Sequence, residues 1–205
     1  IRLKRKTIAL VINPDATLTV RAPIHISRGY IEQLVNKKRA WIERKIGEVK
    51  SRPRIRPKEF VDGEGFFYLG ETYRLKITES SAISLEDYLY FPECMLSNAS
   101  ARLKAWYKAR AAEKIEERVA SRAKEIGLNY KSIKITGAQK RWGSCSQSGN
   151  LNFSWRLVMA PLEVIDYVVM HELAHLKERN HSSKFWQEVK LLFPDYREAK
   201  KWLKD

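Results

Sequence analysis

The stretch HELAH at residues 171–175, followed by a further histidine at position 181, decides the fold and chemistry expected of this chain. Three of the chain's four histidines lie within these eleven residues. Positions i and i+4 share one face of a helix, so His171 and His175 can present ring nitrogens to a single metal ion. With His181 they form a three-ligand set whose open fourth position is typical of catalytic zinc. The sequence therefore predicts one zinc ion per chain, with Glu172 beside it as general base.

The residues around the motif favour metal binding over a chance arrangement on a solvated helix. Residues 166–170 are mostly apolar, which indicates that the helix carrying the motif is buried. Buried imidazoles need partners, and a cluster of three is hard to explain by packing alone.

The third ligand must come from beyond the motif helix. A continuing helix would carry His181 off the ligand face, so the chain must turn between Lys177 and His181, and Asn180 in the left-handed conformation is the predicted device. Glu188 or Glu198 would serve instead in a site with two histidines and one glutamate. Both rank below His181, because Glu188 lies in an amphipathic run typical of a solvated face.

Two other interpretations of the motif can be weighed. The spacing of the three histidines equals that of the metzincins, H-E-x-x-H-x-x-G-x-x-H. However, Glu178 occupies the position of the metzincin glycine, and no methionine follows His181 to form their Met-turn. The chain is therefore not expected to be a metzincin. In a purely structural zinc site, Cys145 would close the fourth position and Glu172 would be an incidental carboxylate. A small buried apolar side chain is the more ordinary role for Cys145.

The composition predicts a soluble protein in the cytoplasm, with no membrane contact. The chain has 205 residues, of which 44% are hydrophobic. It contains no apolar run of about 18 residues, which a membrane span needs, and no signal peptide is recognised. Two cysteines, Cys94 and Cys145, do not make a disulfide framework, which favours a reducing compartment.

Positive charge is concentrated in the N-terminal part. Residues 1–60 contain 16 Lys or Arg against 5 Asp or Glu, and so carry a net charge of +11 out of the chain's +15. Such a surface can attract nucleic acid, nucleotides or acidic proteins, although solubility alone also accounts for it. Contact with nucleic acid or a nucleotide through this part is therefore one expectation, with a peptide or protein as the main substrate.

Periodicity in the chain predicts an α+β fold. Alternation and β-branched residues predict strands, and apolar residues at helical spacing predict helices. The predicted strands cover residues 7–13, 17–21, 66–69, 72–78, 85–91, 132–137 and 151–159. The first predicted helical region is capped by Ser27 and is broken once. A long helix that ends at Gly127 follows, with a core stripe formed by Leu103, Tyr107, Ala111, Ile115 and Val119. The motif helix and two C-terminal helices complete the set. Ser182 or Ser183 would cap the first of these two, and its aromatic residues would pack under the site.

These elements are expected to form two domains. Residues 1–96 would be a basic, β-rich N-terminal domain with a helical segment, in which the Arg/Pro stretch 52–58 acts as a linker. Residues 97–205 would be a minimal zincin-like metallohydrolase core. That core would hold the long helix, a short antiparallel sheet, the motif helix and the C-terminal helices.

Several segments together carry a family resemblance. They are RWGSCS at 141–146, NFSWRL at 152–157, DYVVMHELAHL at 166–176 and NHSSKFW at 180–186. In these the chain resembles the YgjP-like predicted metal-dependent hydrolases, a group related in pattern to the SprT and WLM zinc metalloproteases. The resemblance implies a zincin core with His171, His175 and His181 as ligands and Glu172 as base. It leaves the substrate open.

Three functions are compatible with these features. The first is a zinc-dependent hydrolase, most simply a metallopeptidase in which a metal-activated water cleaves peptide bonds. The second is a metal-dependent nucleoside triphosphate hydrolase that releases pyrophosphate, although no phosphate-binding G-x-x-x-x-G-K-[ST] loop is present. The third is a SprT-like protease that the basic domain holds on nucleic acid.

Other residues have weaker assignments. Zincins bind an extended substrate along a strand above the active-site helix, and residues 151–159 are the predicted strand. Arg141, Arg156 and Tyr196 could each stabilise an oxyanion, but each also has an ordinary surface or packing role. His25, at the end of a strand, is predicted not to bind the metal.

Overall fold

Residues 2–3, 6–51 and 57–204 are described by the computed structural model of the protein. The chain divides into two compact units, Ile1–Pro57 and Lys58–Asp205. Most of the predicted linker, residues 52–56, lies outside the described residues. Within the described ranges, no helix is both long and apolar enough to cross a lipid bilayer.

The first unit contains a small sheet and two helices. Its elements are β1 (Arg2–Leu3), β2 (Ala9–Ile12), β3 (Leu18–Pro23), α1 (Arg28–Lys37) and α2 (Arg39–Ser51). The strand order is β1-β3-β2, and β2 and β3 form the predicted antiparallel hairpin. The Ser27 side chain accepts a hydrogen bond from the Tyr30 backbone N–H at 3.2 Å and caps α1. The predicted helix start and the single break, at Lys38, are thus confirmed.

The second unit contains two sheets and four helices among its described residues. Its elements are β4 (Gly65–Tyr68), β5 (Glu71–Thr78), β6 (Ser84–Leu85), β7 (Leu89–Pro92), α3 (Ala99–Glu125), β8 (Ser132–Thr136), β9 (Gly143–Cys145), β10 (Asn150–Ser154), α4 (Leu162–Ala174), α5 (Ser183–Leu192) and α6 (Tyr196–Trp202). Short 3-10 helices, Glu93–Asn98 and Trp155–Met159, precede α3 and α4. The sheet orders are β4-β5-β7-β6 and β8-β10-β9. The protein has the mixed α+β fold that its sequence predicts.

The long helix α3 supplies one wall of the core. Its buried residues include the whole predicted stripe, Leu103, Tyr107, Ala111, Ile115 and Val119. The helix ends at Glu125, and Gly127 follows with a φ of +64°, which lets the Leu128 N–H reach back to the Ala123 carbonyl at 3.0 Å. α3 packs against both α4 and the 3-10 helix before it.

The predicted domain boundary after residue 96 is corrected, because strands β4 to β7 belong to the second unit. Their buried side chains join the same core cluster as α3 and α4, and these are Phe66, Leu75, Leu89 and Phe91. The Tyr107 hydroxyl of α3 also donates to the Phe67 carbonyl at 2.7 Å. Separating these strands from α3 would expose apolar surface on both sides, so they fold as one unit.

The turn between β4 and β5 docks beside the start of α4. The Leu69 N–H donates to the Val158 carbonyl at 2.8 Å, and the Gly70 N–H donates to the Met159 carbonyl at 3.2 Å. Gly70 has a φ of +88°, and a Cβ there would lie 2.9 Å from Pro161. Only glycine combines a positive φ with such a close approach to Pro161. This turn therefore helps to fix where α4 begins.

The sheet before α4 is mixed rather than antiparallel, which corrects the prediction. β10 is the central strand, parallel to β8 and antiparallel to β9. β9 turns tightly into β10, with the Ser146 N–H donating to the Asn150 carbonyl at 2.9 Å, and this reversal gives β10 the direction of β8. Both edges of β10 are therefore paired, so residues 151–159 offer no free edge to a substrate strand.

Two predicted strand segments also end differently. Residues 155–159 form a 3-10 helix instead of continuing β10. Residues 85–91 do not form a single strand, because a turn in which the Glu86 N–H donates to the Tyr88 carbonyl at 3.1 Å separates β6 from β7.

A buried carboxylate ties α4 to α3. Arg118 donates to both oxygens of Asp166 at 2.6 Å, and Arg122 donates to Oδ2 at 2.6 Å. These hydrogen bonds raise the pKa of both guanidinium groups. The network links the two helices through charge-assisted hydrogen bonds, one of them a bidentate pair between Arg118 and Asp166.

Replacing Asp166 with Asn should lower the free energy of unfolding by about 3 kcal/mol, because two partly buried guanidinium groups lose their counter-charge. Urea unfolding measures the change. Glu113→Gln is the matched control, since it breaks the Arg110–Glu113 pair on the exposed side of α3 and should cost no more than about 0.5 kcal/mol. Equal losses in the two variants would contradict a structural role for the Asp166 network.

Candidate metal centre

Helix α4 carries the first two imidazoles and the carboxylate of the motif. Ten of its 13 residues are buried, as the sequence predicts. His171 and Glu172 lie in its last turn, and His175 follows it with dihedral angles that are still helical (φ −66°, ψ −15°). The i and i+4 relation between His171 and His175 is therefore kept, and their ring centroids are 5.1 Å apart.

The chain leaves the helix earlier than predicted, and without a left-handed residue. The Leu176 and Lys177 N–H groups bond the Leu173 and Ala174 carbonyls at 3.0 Å, which tightens the end of the helix. Asn180 is not among the described residues with positive φ, so its predicted left-handed conformation is wrong. Its carbonyl accepts a hydrogen bond from the Ser182 N–H at 2.7 Å within the turn.

His181 returns to the cluster because α5 begins directly after it. The Ser182 side chain accepts a hydrogen bond from the Phe185 backbone N–H and caps α5, which settles the choice between Ser182 and Ser183. The ring centroid of His181 then lies 5.0 Å from that of His171 and 4.7 Å from that of His175.

The three imidazoles converge on one small volume. One ring nitrogen from each lies within 4.8 Å of the others. The Nε2 atoms of His171 and His181 are 3.0 Å apart. His175 Nδ1 lies 3.0 Å from the Glu178 carbonyl, which it bonds as a donor, so its Nε2 is left to act as a ligand. This donor set is the one that catalytic zinc takes.

Two of the imidazoles favour the neutral form that metal binding requires. Burial, together with the charges of His175, His181 and Lys200, lowers the pKa of His171 to about 3. Burial also lowers the pKa of His175, although the Glu178 carbonyl opposes this effect. His171 Nδ1 is buried without a hydrogen-bond partner among the described residues.

Phe185 packs against all three imidazoles. It is fully buried on α5, and its ring centroid lies 4.9 Å from His171, 4.4 Å from His175 and 4.8 Å from His181. Trp186 stacks on His181 at 5.8 Å. The prediction that the aromatic residues of α5 pack under the site is confirmed, and these rings restrict the orientations of the imidazoles.

Glu172 is the buried carboxylate of the site, only 5% exposed. Its Oε2 has no hydrogen-bond partner in the described part of the chain. Burial raises its pKa to about 8, and the charge of Arg141 partly offsets that rise. Leaving a buried polar atom unpaired is costly, and such atoms in native structures often mark function.

The approach of Glu172 depends on Gly143 in β9. A Cβ at that position would lie 2.5 Å from Glu172 Oε1 and 2.7 Å from its Cγ. No side chain other than hydrogen fits there without moving Glu172. In the sequence this segment carries part of the family resemblance, but the contact of Gly143 with Glu172 was not predicted. The glycine within RWGSCS was the available signal, since an isolated strand glycine often marks a close approach.

The rival metal ligands stand apart from the cluster. Glu188, on α5, forms an ion pair with Lys177, and Glu198 is exposed on α6. Cys145 lies in β9, donates to the Ser146 carbonyl at 3.4 Å, and burial raises the pKa of its thiol. Among the described residues, the group of side chains that could hold a metal ion contains none of these three, and His25 is not part of it either.

The predicted oxyanion donors are placed as follows. Arg141 is exposed and lines a cleft next to Gly143. Arg156 donates to the Gly137 carbonyl at 3.3 Å and lies over the Trp155 ring. Arg156 therefore supports a loop.

The third predicted donor, Tyr196, stacks on two aromatic rings of the site. Its ring centroid lies 6.5 Å from that of Tyr167 and 5.6 Å from that of Trp186, and these two rings contact His171 and His181 respectively.

A pair of imidazoles from one helix, a third from the following loop and a buried carboxylate between them define the arrangement of a zincin-type metal centre. The chain belongs to the YgjP-like family, whose metallopeptidase domain matches residues 6–205. No curated protein matches the sequence significantly.

Two solved structures of archaeal metallopeptidase zymogens are similar to part of the chain. Pyrococcus abyssi abylysin is 25% identical over 43% of this chain and 90% of its own, with a TM-score of 0.40. Methanocaldococcus jannaschii jannalysin is 24% identical over 43% of this chain and 92% of its own, with a TM-score of 0.39.

Changing Gly143 to Ala should lower the free energy of unfolding of the metal-free protein by about 1–3 kcal/mol, because the added methyl group displaces Glu172. In a Glu172→Ala background the same change should cost almost nothing, since the clashing atoms are gone. Urea unfolding of the four proteins in this double-mutant cycle gives the coupling energy. A Gly143→Ala penalty that is unchanged by Glu172→Ala would rule out the contact.

Proposed function

We propose that the protein is a zinc-dependent metallopeptidase that hydrolyses peptide bonds. The observation that carries the proposal is the convergence of three imidazole nitrogens within 4.8 Å, next to a buried carboxylate with a free oxygen. Membership of a family with a metallopeptidase domain supports peptides or proteins as substrates.

His171, His175 and His181 would hold the metal ion. Three neutral imidazoles suit zinc, and they leave a coordination position open for catalysis. When bound, zinc supplies Lewis-acid chemistry, in that it lowers the pKa of a water ligand towards about 7 and polarises a carbonyl group.

Glu172 acts as the general base. It accepts a proton at Oε2 from the water whose oxygen attacks the peptide carbonyl carbon. When the C–N bond breaks, Glu172 returns that proton to the departing amine. Gly143 and the burial of α4 hold the carboxylate in one place, so no reorganisation is needed during the step.

β9 is the strand best suited to bind an extended substrate. Among the described strands it pairs only with β10. The Ser154 N–H donates to the Trp142 carbonyl, and the Ser146 N–H donates to the Asn150 carbonyl. Since hydrogen-bonding residues alternate along an antiparallel pair, the backbone groups of Gly143 and Cys145 face away from β10. A peptide paired to this edge would pass beside Glu172.

The other two predicted functions receive no such support. Nothing in the described part of the chain favours nucleotide hydrolysis or nucleic-acid binding over peptide hydrolysis. Neither is proposed further.

The purified protein should contain one equivalent of zinc, and His181→Ala should lose it. Replacing one of three ligands weakens zinc binding by a factor of about 100 or more, because ligand replacement should cost at least as much as loss of an outer-shell partner. Elemental analysis after dialysis measures the metal content. His25→Ala is the control and should keep a full equivalent. A His181→Ala variant that retains tightly bound zinc would move the third ligand to Glu188 or Glu198.

The Glu172→Gln variant should keep zinc and fold but lose activity by about 10²–10⁴-fold, the usual contribution of a general base. Release of labelled fragments from casein measures activity, and elemental analysis measures zinc. Glu163→Gln removes an exposed carboxylate from the first turn of the same helix and should leave the rate unchanged. A Glu172→Gln variant with full activity would exclude the residue as base.

A further inference from the structure

A cleft of about 340 Å³ opens at the end of the sheet that supports Glu172. It is lined by Thr136, Ala138, Arg141, Trp142, Gly143, Ser144, Asn152 and Ser154. These residues come from β8, β9, β10 and the loop between β8 and β9. The volume is at the lower end of the range for small-ligand pockets, so it suits one side chain or one chain terminus.

Most polar groups in the cleft are already engaged. The Ser154 hydroxyl donates to the Ala138 carbonyl at 2.8 Å, and the Thr136 hydroxyl donates to the Phe153 carbonyl at 3.3 Å. The Ser144 oxygen accepts from Asn152 Nδ2 at 3.4 Å, which leaves the Ser144 hydroxyl hydrogen free to donate. Internal hydrogen bonds therefore hold the lining of the cleft in place, and few of its side-chain donors remain free for a ligand.

Arg141 is the cation of this cleft. No hydrogen bond or ion pair of its guanidinium is found within the described ranges, and the lining contains no acidic side chain. Its five N–H donors form a planar fork that matches a carboxylate. With the Ser144 hydroxyl beside it, the cleft offers donors to an anion and has no anion of its own.

The cleft and the catalytic carboxylate share a wall. Gly143 lines the cleft, and its Cα faces Glu172 so closely that a Cβ would lie 2.5 Å from Oε1. The charge of Arg141 also acts on Glu172. Side chains alternate along a strand, so Ser144 and Asn152 line the cleft from the face of the sheet opposite to Glu172. A peptide paired to the edge of β9 would alternate in the same way, so a side chain in the cleft would belong to a residue next to one on the Glu172 side.

We propose that this cleft is a specificity subsite for a substrate carboxylate, held by Arg141 and Ser144 next to the scissile bond. The proposal rests on the proposed peptidase function. The carboxylate is either the side chain of Asp or Glu or the C-terminus of the peptide. Both present the same planar group to Arg141, so the experiment must separate them.

Binding is measured by calorimetry on the zinc-loaded Glu172→Gln protein, which should not consume its ligand. One peptide pair is acetyl-Ala-Ala-Glu-Ala-Ala-amide and its Gln counterpart, which test an acidic side chain. A second pair is acetyl-Ala-Ala-Ala with a free or an amidated C-terminus. The acidic member of at least one pair should bind about tenfold more tightly, and raising the salt concentration to about 0.5 M should reduce the preference.

Arg141→Gln in the same protein should remove the preference and leave the affinity for the neutral peptides unchanged. Lys140→Gln is the matched control, since it removes the same charge from an exposed residue next to the cleft without touching its lining. Both positions are exposed, so neither change should affect folding.

The outcomes separate the subsite from the peptidase function. Equal binding of acidic and neutral peptides, no binding of either, or a preference that survives Arg141→Gln overturns the subsite. A preference lost in both Arg141→Gln and Lys140→Gln also overturns it, because the effect would then be general attraction. A preference lost only in Arg141→Gln supports the subsite even if the wild-type protein hydrolyses none of the peptides, in which case the peptidase function alone fails.

Discussion

The burial of helix α4 is the constraint on which the rest of the second unit depends. A helix that carries two buried carboxylates, Asp166 and Glu172, and ends in two imidazoles, His171 and His175, is costly to bury, because each polar group must find a partner or remain unpaired. Asp166 is satisfied by two arginines of α3. The turn at Gly70 sets the start of the helix, and Phe185 packs against its end. The apolar remainder of α4 provides the favourable free energy that keeps it buried.

The unpaired atoms on α4 are concentrated at its C-terminal end. His171 Nδ1 and Glu172 Oε2 have no partners in the described part of the chain, although Asp166 on the same helix is fully paired. Natural sequences satisfy buried polar groups almost everywhere and depart from that rule mainly at functional sites. The contrast within one helix therefore distinguishes Asp166, which links α4 to α3, from the residues proposed to hold the metal and act as base.

The short strand β9 both packs against the Glu172 carboxylate and borders the space beside it. β9 contributes the glycine that Glu172 packs against, a backbone edge that faces away from β10, and part of the cleft that contains Arg141. The backbone edge depends on β9 lying at the edge of the β8-β10-β9 sheet. With β10 at that edge instead, the backbone groups of Gly143 and Cys145 that face away from β10 would be paired with another strand.

The pattern of residues within single segments of the sequence was enough to predict several parts of this protein. The stripe on α3, the caps of α1 and α5 and the i, i+4 pair on α4 follow from helical periodicity and from hydrogen bonds between near neighbours, so the sequence determined them by itself. The domain boundary, the order of the β8-β10-β9 sheet and the contact of Gly143 with Glu172 were decided only by the tertiary structure. Each joins residues far apart in the chain, and the free energy of such contacts depends on which surfaces are buried together, which no local pattern records.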